Sequence, residues 1–214
     1  MSASRLEAFT DGVIAIIITI MVLEIRVPRG SDLASLEADV PVLSAYVLSY
    51  VNVGIFWNNH HHMLHVTERV NGKVLWANLA LLFWLSLVPF VIRWINDTGF
   101  TALPTAAYGI VLVGAAVSYQ MLEHQIIAHN GRTSRLALAL GGSDRKGKLS
   151  LALYLAAVAL AFMRPWIAIV LYVAVALLWL VPDRRIESLI KKGEGSYLKT
   201  TVRQPFRNTR CSMA

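Results

Sequence analysis

The sequence predicts an all-α integral membrane protein with six transmembrane helices per subunit. Hydrophobic residues make up 56% of the 214 residues and charged residues only 15%, whereas soluble domains carry roughly 25% charged residues. The mean hydropathy is +0.55. Long apolar runs alternate with polar segments along the chain, and the basic residues concentrate in every second segment. Together these observations favour a bilayer over a soluble fold.

A helix that crosses the hydrocarbon core needs roughly 20 mostly apolar residues. The chain offers six such runs, Ala8–Arg26, Val40–His65, Lys73–Ile95, Thr101–His124, Lys148–Met163 and Trp166–Val181. The first run is long for a signal peptide and contains Asp11 and Glu24, so we interpret it as a retained helix. Arg164 and Pro165 connect the last two runs tightly, which makes those helices antiparallel neighbours.

The basic residues predict the orientation. With the N-terminus in the cytoplasm, 16 of the 20 lysines and arginines lie on the cytoplasmic side. This asymmetry follows the positive-inside rule and places both termini in the cytoplasm. The net charge of +7 is therefore a topology signal and does not indicate a nucleic-acid partner. We expect a membrane domain over residues 1–182 and a basic cytoplasmic tail over residues 183–214.

The first helix has two different faces. At 100° per residue, Ile16, Ile20 and Leu23 fall within about 60° of one another, and Thr19 lies beside them. Asp11 lies on roughly the opposite side of the helix. Such an aliphatic stripe can line a hydrophobic constriction in a pore, although stripes of this kind more often face lipid or neighbouring helices.

Ionisable groups inside spans are costly and are therefore functional candidates. Asp11 is expected to point into the subunit and to pair with Arg5 or with a histidine of the second helix, because an unpaired carboxylate in hydrocarbon is unfavourable. The second helix ends in a cluster of His60, His61, His62, His65 and Glu68. His61, His65 and Glu68 have a spacing that suits zinc. The alternative is that the histidines form interhelical hydrogen bonds near the headgroups.

Motifs in the first 90 residues resemble the transmembrane protein 175 family, which contains the endosomal and lysosomal potassium channel of animals and short prokaryotic homologues. The first-helix motif runs from Arg5 through Phe9-Thr10-Asp11 to Leu23-Glu24, with threonine where the family usually has serine. Further matches are Trp57-x2-His60-His61, Trp76-x-Asn78-Leu79 and Pro89-Phe90. The rest of the chain resembles the family by topology only.

The resemblance implies a homotetramer in which the first helix of each subunit lines a central pore. Ile16, Ile20 and Leu23, with Thr19 adjacent, would form the constriction. The resemblance also implies a structural or gating network that braces the first helix, made of Arg5, Phe9, Thr10, Asp11, Trp57, His60, His61 and Asn78. Such a channel passes potassium with a modest preference over sodium and needs no cofactor, and potassium and other monovalent cations are its permeant partners.

These features predict a potassium-permeable cation channel, not an enzyme, that crosses the inner or plasma membrane several times and contacts membrane lipid. One alternative is a membrane-embedded metal-binding protein or metalloenzyme that uses the helix-two histidines. Another is a secondary transporter, which is disfavoured because the two halves of the chain show no matching pair of broken helices.

Overall fold

The computed structural model describes residues 2–25, 27–28, 30–67, 69–131, 134, 136–137 and 145–180. Over these residues the chain is helical and contains no strand, which confirms the all-α prediction for this part. The helices in chain order are α1 (Ala3–Leu23), α2 (Leu33–Ala38), α3 (Val40–His65), α4 (Gly72–Ser86), α5 (Val88–Thr98), α6 (Ala102–Asn130), α7 (Arg145–Ala161) and α8 (Pro165–Leu180). The predicted tail, residues 183–214, lies outside the described residues.

Four helical segments are long and apolar enough to cross a membrane, namely α1, α3, the consecutive pair α4 and α5, and α6. The shorter helix α8 is also apolar. The predicted third span, Lys73–Ile95, is interrupted near Leu87. Pro89 lies in the first turn of α5, where a helix does not need the N–H that proline lacks. Within a continuous helix the same proline would remove a hydrogen bond, so α4 does not continue regularly into α5.

Local sequence explains where several helices begin and end. The Asn71 side chain accepts a hydrogen bond from the Val74 N–H at 3.0 Å and so caps α4. Asp32 caps α2 in the same way, and the hydrogen bonds from the Ser35 hydroxyl and then from its N–H lower the pKa of Asp32. Gly99 follows α5 with a φ of 74°, a conformation that glycine adopts without strain.

Helix α6 is central among the described helices and packs most closely against α4 and α7. Gly114 permits the approach to α4, since a Cβ at this position would lie 2.1 Å from the Trp84 ring. Gly109 permits the approach to α8, since its Cβ would lie 2.1 Å from the Tyr172 hydroxyl oxygen. Small residues of this kind let membrane helices pack closely.

Candidate functional site

Helix α1 separates into a buried face and an exposed face. Its buried residues recur every three or four positions, as expected for one side of a helix: Leu6, Thr10, Ile14, Ile17 and Met21. The aliphatic stripe of Ile16, Ile20 and Leu23 lies on the other side, with 60%, 41% and 76% of each residue exposed. The described part of the subunit therefore leaves the stripe uncovered.

Thr19 is also exposed, next to the stripe. Its hydroxyl donates to the Ala15 carbonyl oxygen at 2.8 Å, which satisfies the hydroxyl hydrogen within the helix. Because this hydrogen is already engaged, only the lone pairs of the oxygen are available to a neighbouring group. The stripe surface is thus aliphatic with a single weakly polar position.

A buried hydrogen-bond chain holds the other side of α1. The Asn78 amide nitrogen on α4 donates to the Thr10 hydroxyl oxygen at 3.0 Å. The Asn78 carbonyl oxygen lies 2.7 Å from His60 Nε2 on α3. All three residues are at most 1% exposed, so one asparagine joins three helices in a place without competing water.

The hydrogen bonds of Asn78 indicate which ring nitrogen of His60 carries the hydrogen. Since the Asn78 nitrogen donates to Thr10, its oxygen is the acceptor and His60 Nε2 carries the hydrogen. His60 Nδ1 is buried and has no hydrogen-bond partner among the described residues. His60 therefore serves here as a hydrogen-bond donor from α3 to α4.

Two further polar contacts join α1 to α3. Trp57 Nε1 donates to the Asp11 carboxylate at 2.8 Å, and His61 Nδ1 lies 2.7 Å from the Glu7 carboxylate. The Trp57 and His61 rings stack with centroids 5.9 Å apart. The partner of Asp11 is therefore Trp57, not Arg5 or a histidine as the sequence led us to expect.

Two residues of the predicted network are placed differently from the rest. Arg5 is exposed on α1, and Phe9 is 49% exposed. Both lie outside the buried hydrogen-bond chain described above. Phe9 adds to the uncovered apolar surface of α1 near its N-terminal end.

A polar contact at the other end of α1 was not predicted from the sequence. Arg93 on α5 lies 2.9 Å from the Glu24 carboxylate and 3.7 Å from the Asp97 carboxylate. Asn96 also donates to the Glu24 carbonyl oxygen at 3.4 Å. Glu24 belongs to the first-helix motif and Arg93 is a charged residue within the predicted span Lys73–Ile95, so both residues could have been singled out from the sequence.

Comparison with known proteins decides the family. The family model described as endosomal/lysosomal potassium channel TMEM175 matches residues 5–89. A potassium channel from a Chryseobacterium species is 50% identical over 192 residues, which cover 90% of this chain and 100% of that protein. The chain belongs to the TMEM175 family. It is thus a member of a family of ion channels and not an enzyme.

More distant TMEM175 relatives agree with this assignment. A potassium channel of Streptomyces collinus is 31% identical over 65% of this chain and 77% of its own length. The human endosomal/lysosomal proton channel TMEM175 is 30% identical over 76% of this chain but only 36% of its own length. The crystal structure of a lysosomal potassium-selective channel TMEM175 homolog from Chamaesiphon minutus matches with a TM-score of 0.73 at 24% identity, covering 85% of this chain and 97% of that one. At this identity the likeness concerns the fold.

The alternative metal site on α3 finds no support in the part of the chain that the structure describes. His60 is directed to Asn78 and His61 to Glu7, while His61 and His65 stack with ring centroids 6.2 Å apart. Within the described ranges, no three His, Cys, Asp or Glu side chains are grouped so that they could hold a metal ion. Glu68, the third predicted ligand, lies outside the described residues.

Proposed function

We propose that the chain forms a homotetrameric, potassium-permeable cation channel in the inner or plasma membrane of the cell. The observation that carries the proposal is the aliphatic stripe of α1, which its own subunit leaves exposed while the opposite face is held by buried hydrogen bonds. The potassium-channel names of the Chryseobacterium and Streptomyces relatives support the permeant ion. The proposal requires no cofactor.

We propose six spans per subunit over residues 1–182, with the two termini and the tail of residues 183–214 in the cytoplasm. The spans are α1, α3, the pair α4 and α5, α6, α7 and α8. The charge asymmetry supports this topology, since 16 of the 20 lysines and arginines fall on the cytoplasmic side. The same topology places the Glu7 and Asp11 contacts near the cytoplasm and the Glu24 contact near the outer surface.

In the proposed pore, Ile16, Ile20 and Leu23 of the four subunits meet around the symmetry axis, with Thr19 beside them. A narrow ring of aliphatic side chains opposes ions by excluding their hydration water. Since such a ring offers no carbonyl oxygens in place of that water, it discriminates only modestly, and we propose a small preference for potassium over sodium.

The contacts behind α1 have a bracing or gating role in this proposal. Thr10, Asn78 and His60 fix the helix from the side away from the axis, and Asp11, Trp57 and His61 fix it nearer the cytoplasm. Arg5 and Phe9 belong to the same cytoplasmic end. Because rotation of α1 would move the stripe away from the axis, the bonds that prevent rotation control the constriction.

The proposal is tested by potassium flux from liposomes that contain the purified protein. The wild type is expected to release potassium, and to release sodium more slowly under a matched gradient. Ile16→Asn is expected to raise the flux about tenfold, because a polar ring holds water and lowers the barrier by about 1.4 kcal/mol.

Ile110→Asn is the matched control, because Ile110 is 50% exposed and its helix, α6, is not among the helices that pack substantially against α1. This variant should leave the flux at the wild-type level. The absence of potassium flux from both the wild type and Ile16→Asn, in samples that contain tetramers by native mass spectrometry, would refute the channel. An equal rise in both variants would instead show nonspecific leak.

A further inference from the structure

The C-terminal end of α1 lies far from the polar contacts at Thr10 and Asp11. At 1.5 Å per residue, Thr10 and Leu23 are separated by about 20 Å along the helix. The buried face of α1 ends at Met21, and the next two residues, Val22 and Leu23, are 46% and 76% exposed. The hydrogen bonds in the first half of α1 therefore do not by themselves fix the direction of the Leu23 side chain.

Glu24, the residue after Leu23, is held in two ways by helix α5. Its carboxylate lies 2.9 Å from Arg93 Nη1, and its backbone carbonyl oxygen accepts a hydrogen bond from the Asn96 amide nitrogen at 3.4 Å. Arg93 and Asn96 are about one turn apart, so one helix contacts both the side chain and the backbone of a single residue. Because hydrogen bonds are directional, these two contacts restrict the rotation of the last turn of α1.

Helix α5 is a firm support for these contacts. It packs against α1, α3 and α6. Its buried residues are Val88, Pro89, Val91, Ile92 and Ile95. Arg93 Nε also lies 3.7 Å from the Asp97 carboxylate, so the guanidinium group contacts one carboxylate on its own helix and one on α1. Contacts with two carboxylates limit the directions that the Arg93 side chain can take.

We propose that Arg93 is a positioning residue, which directs Leu23 toward the pore axis by holding Glu24. This inference rests on the proposed pore, in which Leu23 belongs to the constriction. Leu23 directly precedes Glu24, so any restriction of Glu24 also restricts the direction of the Leu23 side chain. Without the contact between Glu24 and Arg93, the last turn of α1 rotates more freely and the ring of Leu23 side chains widens.

The first test is potassium flux from liposomes that contain the full chain with Arg93→Met, which keeps the length of the side chain but cannot donate to Glu24. The flux is expected to rise only about threefold, because an ion pair between partly exposed groups stabilises one position modestly. Arg164→Met is the matched control and should leave the flux unchanged. Arg164 is exposed between α7 and α8, which are not among the helices that pack substantially against α1.

Charge reversal distinguishes positioning from a direct effect of charge on the ion. A negative ring attracts potassium and a positive ring repels it, so a direct effect would shift the flux in opposite directions in Arg93→Glu and Glu24→Arg. In about 1 M KCl, where the Debye length is roughly 3 Å, we expect both single variants to raise the flux and the double reversal to restore it. Opposite shifts, or a double reversal with flux as high as in the single variants, would overturn the proposal.

A combined variant tests whether Arg93 acts through Leu23. Leu23→Ala together with Arg93→Met should raise the flux no more than Leu23→Ala alone, because the shortened side chain no longer depends on its direction. If the two effects instead multiply, Arg93 acts on the flux by another route and the proposal is wrong. The same holds if the wild type conducts potassium and Arg93→Met conducts it equally, whereas a wild type without flux would refute the channel itself.

A distance measurement follows the position of α1 without ion flux. Cys211, the single cysteine of the sequence, is replaced by serine, and a spin label is attached to Val22→Cys in the last turn of α1. Distances between subunits, measured by double electron–electron resonance, should form a narrow distribution that Arg93→Met broadens and Arg164→Met does not. A distribution that Arg93→Met leaves unchanged would overturn the proposal.

Discussion

Helices α1 and α6 are both long enough to cross a membrane, yet the subunit buries them to different extents. In their most apolar windows, 28% of α1 and 56% of α6 is buried. The more apolar of the two helices is α1, so hydropathy does not determine which helix the subunit covers. Since lipid is as apolar as leucine, membrane helices associate through close packing and hydrogen bonds, not through the burial of apolar surface.

The two helices use these two means differently. Helix α6 is held by close contact at glycines, with Gly114 against Trp84 and Gly109 against Tyr172. Helix α1 is held on one side by polar side chains, chiefly the bond between Thr10 and Asn78, and is exposed on the other. An exposed aliphatic face on a helix that is firmly bonded behind is what a pore-lining element requires.

The largest effect should come from the polar contact behind α1. Asn78→Leu keeps the side-chain size but leaves the Thr10 hydroxyl and His60 Nε2 buried without their partner. Because each such group costs roughly 1–3 kcal/mol, we expect the free energy of unfolding in detergent to fall by about 3 kcal/mol.

The triple variant Thr10→Val, His60→Leu and Asn78→Leu is the control, since it removes all the groups that would be left unpaired. It should recover most of the lost stability. If the single and the triple variants are equally unstable, the chain of hydrogen bonds is not what holds α1.

The close contact of α6 should give the next largest effect. In Gly114→Ala the new Cβ would lie 2.1 Å from the Trp84 ring, so α6 and α4 must separate or the ring must move. We expect the free energy of unfolding to fall by about 2 kcal/mol, as is usual for overpacked positions.

Gly12→Ala on the exposed face of α1 is the matched control, because no atom lies within 4 Å of its added Cβ. The comparison between the helices predicts little change in the melting temperature of this variant. A loss as large as that in Gly114→Ala would mean that α1 is as closely packed as α6.

The polar contacts of α1 could be predicted from the sequence better than the close glycine contacts of α6. Hydropathy located the helices because long apolar runs are a strong signal, although the predicted start of α1 and end of α6 were wrong by five and six residues. It also extended one span through Leu87, where Pro89 interrupts the helix. Asn78 and His60 could be singled out because polar residues in spans are rare, whereas Thr10 was named only because the family resemblance implies it. The roles of Gly109 and Gly114 were not visible, since a glycine contact depends on which side chain the partner helix presents.

The sequence also could not show which polar residues of different helices pair with each other. The pairing of Asp11 with Trp57, at 2.8 Å from Nε1, depends on how α1 and α3 are rotated relative to each other. A helical wheel of a single helix does not contain this information. The Glu24 and Arg93 contact joins residues 69 positions apart for the same reason.

A smaller effect is expected at Asp11. Asp11→Ala removes the acceptor of the Trp57 indole, which forms a charge-assisted bond between partly exposed groups. We expect the free energy of unfolding to fall by about 1.5 kcal/mol, and we expect the proposed tetramer to dissociate on size-exclusion chromatography. Trp57→Phe should cause most of the same loss. In the double variant the losses should not add, because both single changes break one bond; additive losses would show that the two side chains act independently.

The smallest effect should occur at the end of the stripe. Leu23 is 76% exposed, and Leu23→Ala shortens a side chain of the proposed constriction without making it polar. We therefore expect the potassium flux from liposomes to rise only about threefold. This rise corresponds to a decrease of about 0.7 kcal/mol in the barrier to permeation. Val22→Ala is the matched control, because Val22 is 46% exposed but lies 100° around the helix from Leu23. If the flux rises in Leu23→Ala alone, the stripe faces the permeation path. If Val22→Ala raises the flux more than Leu23→Ala does, α1 is rotated so that Val22 faces the permeation path. The stripe of Ile16, Ile20 and Leu23 would then contact lipid or a neighbouring subunit.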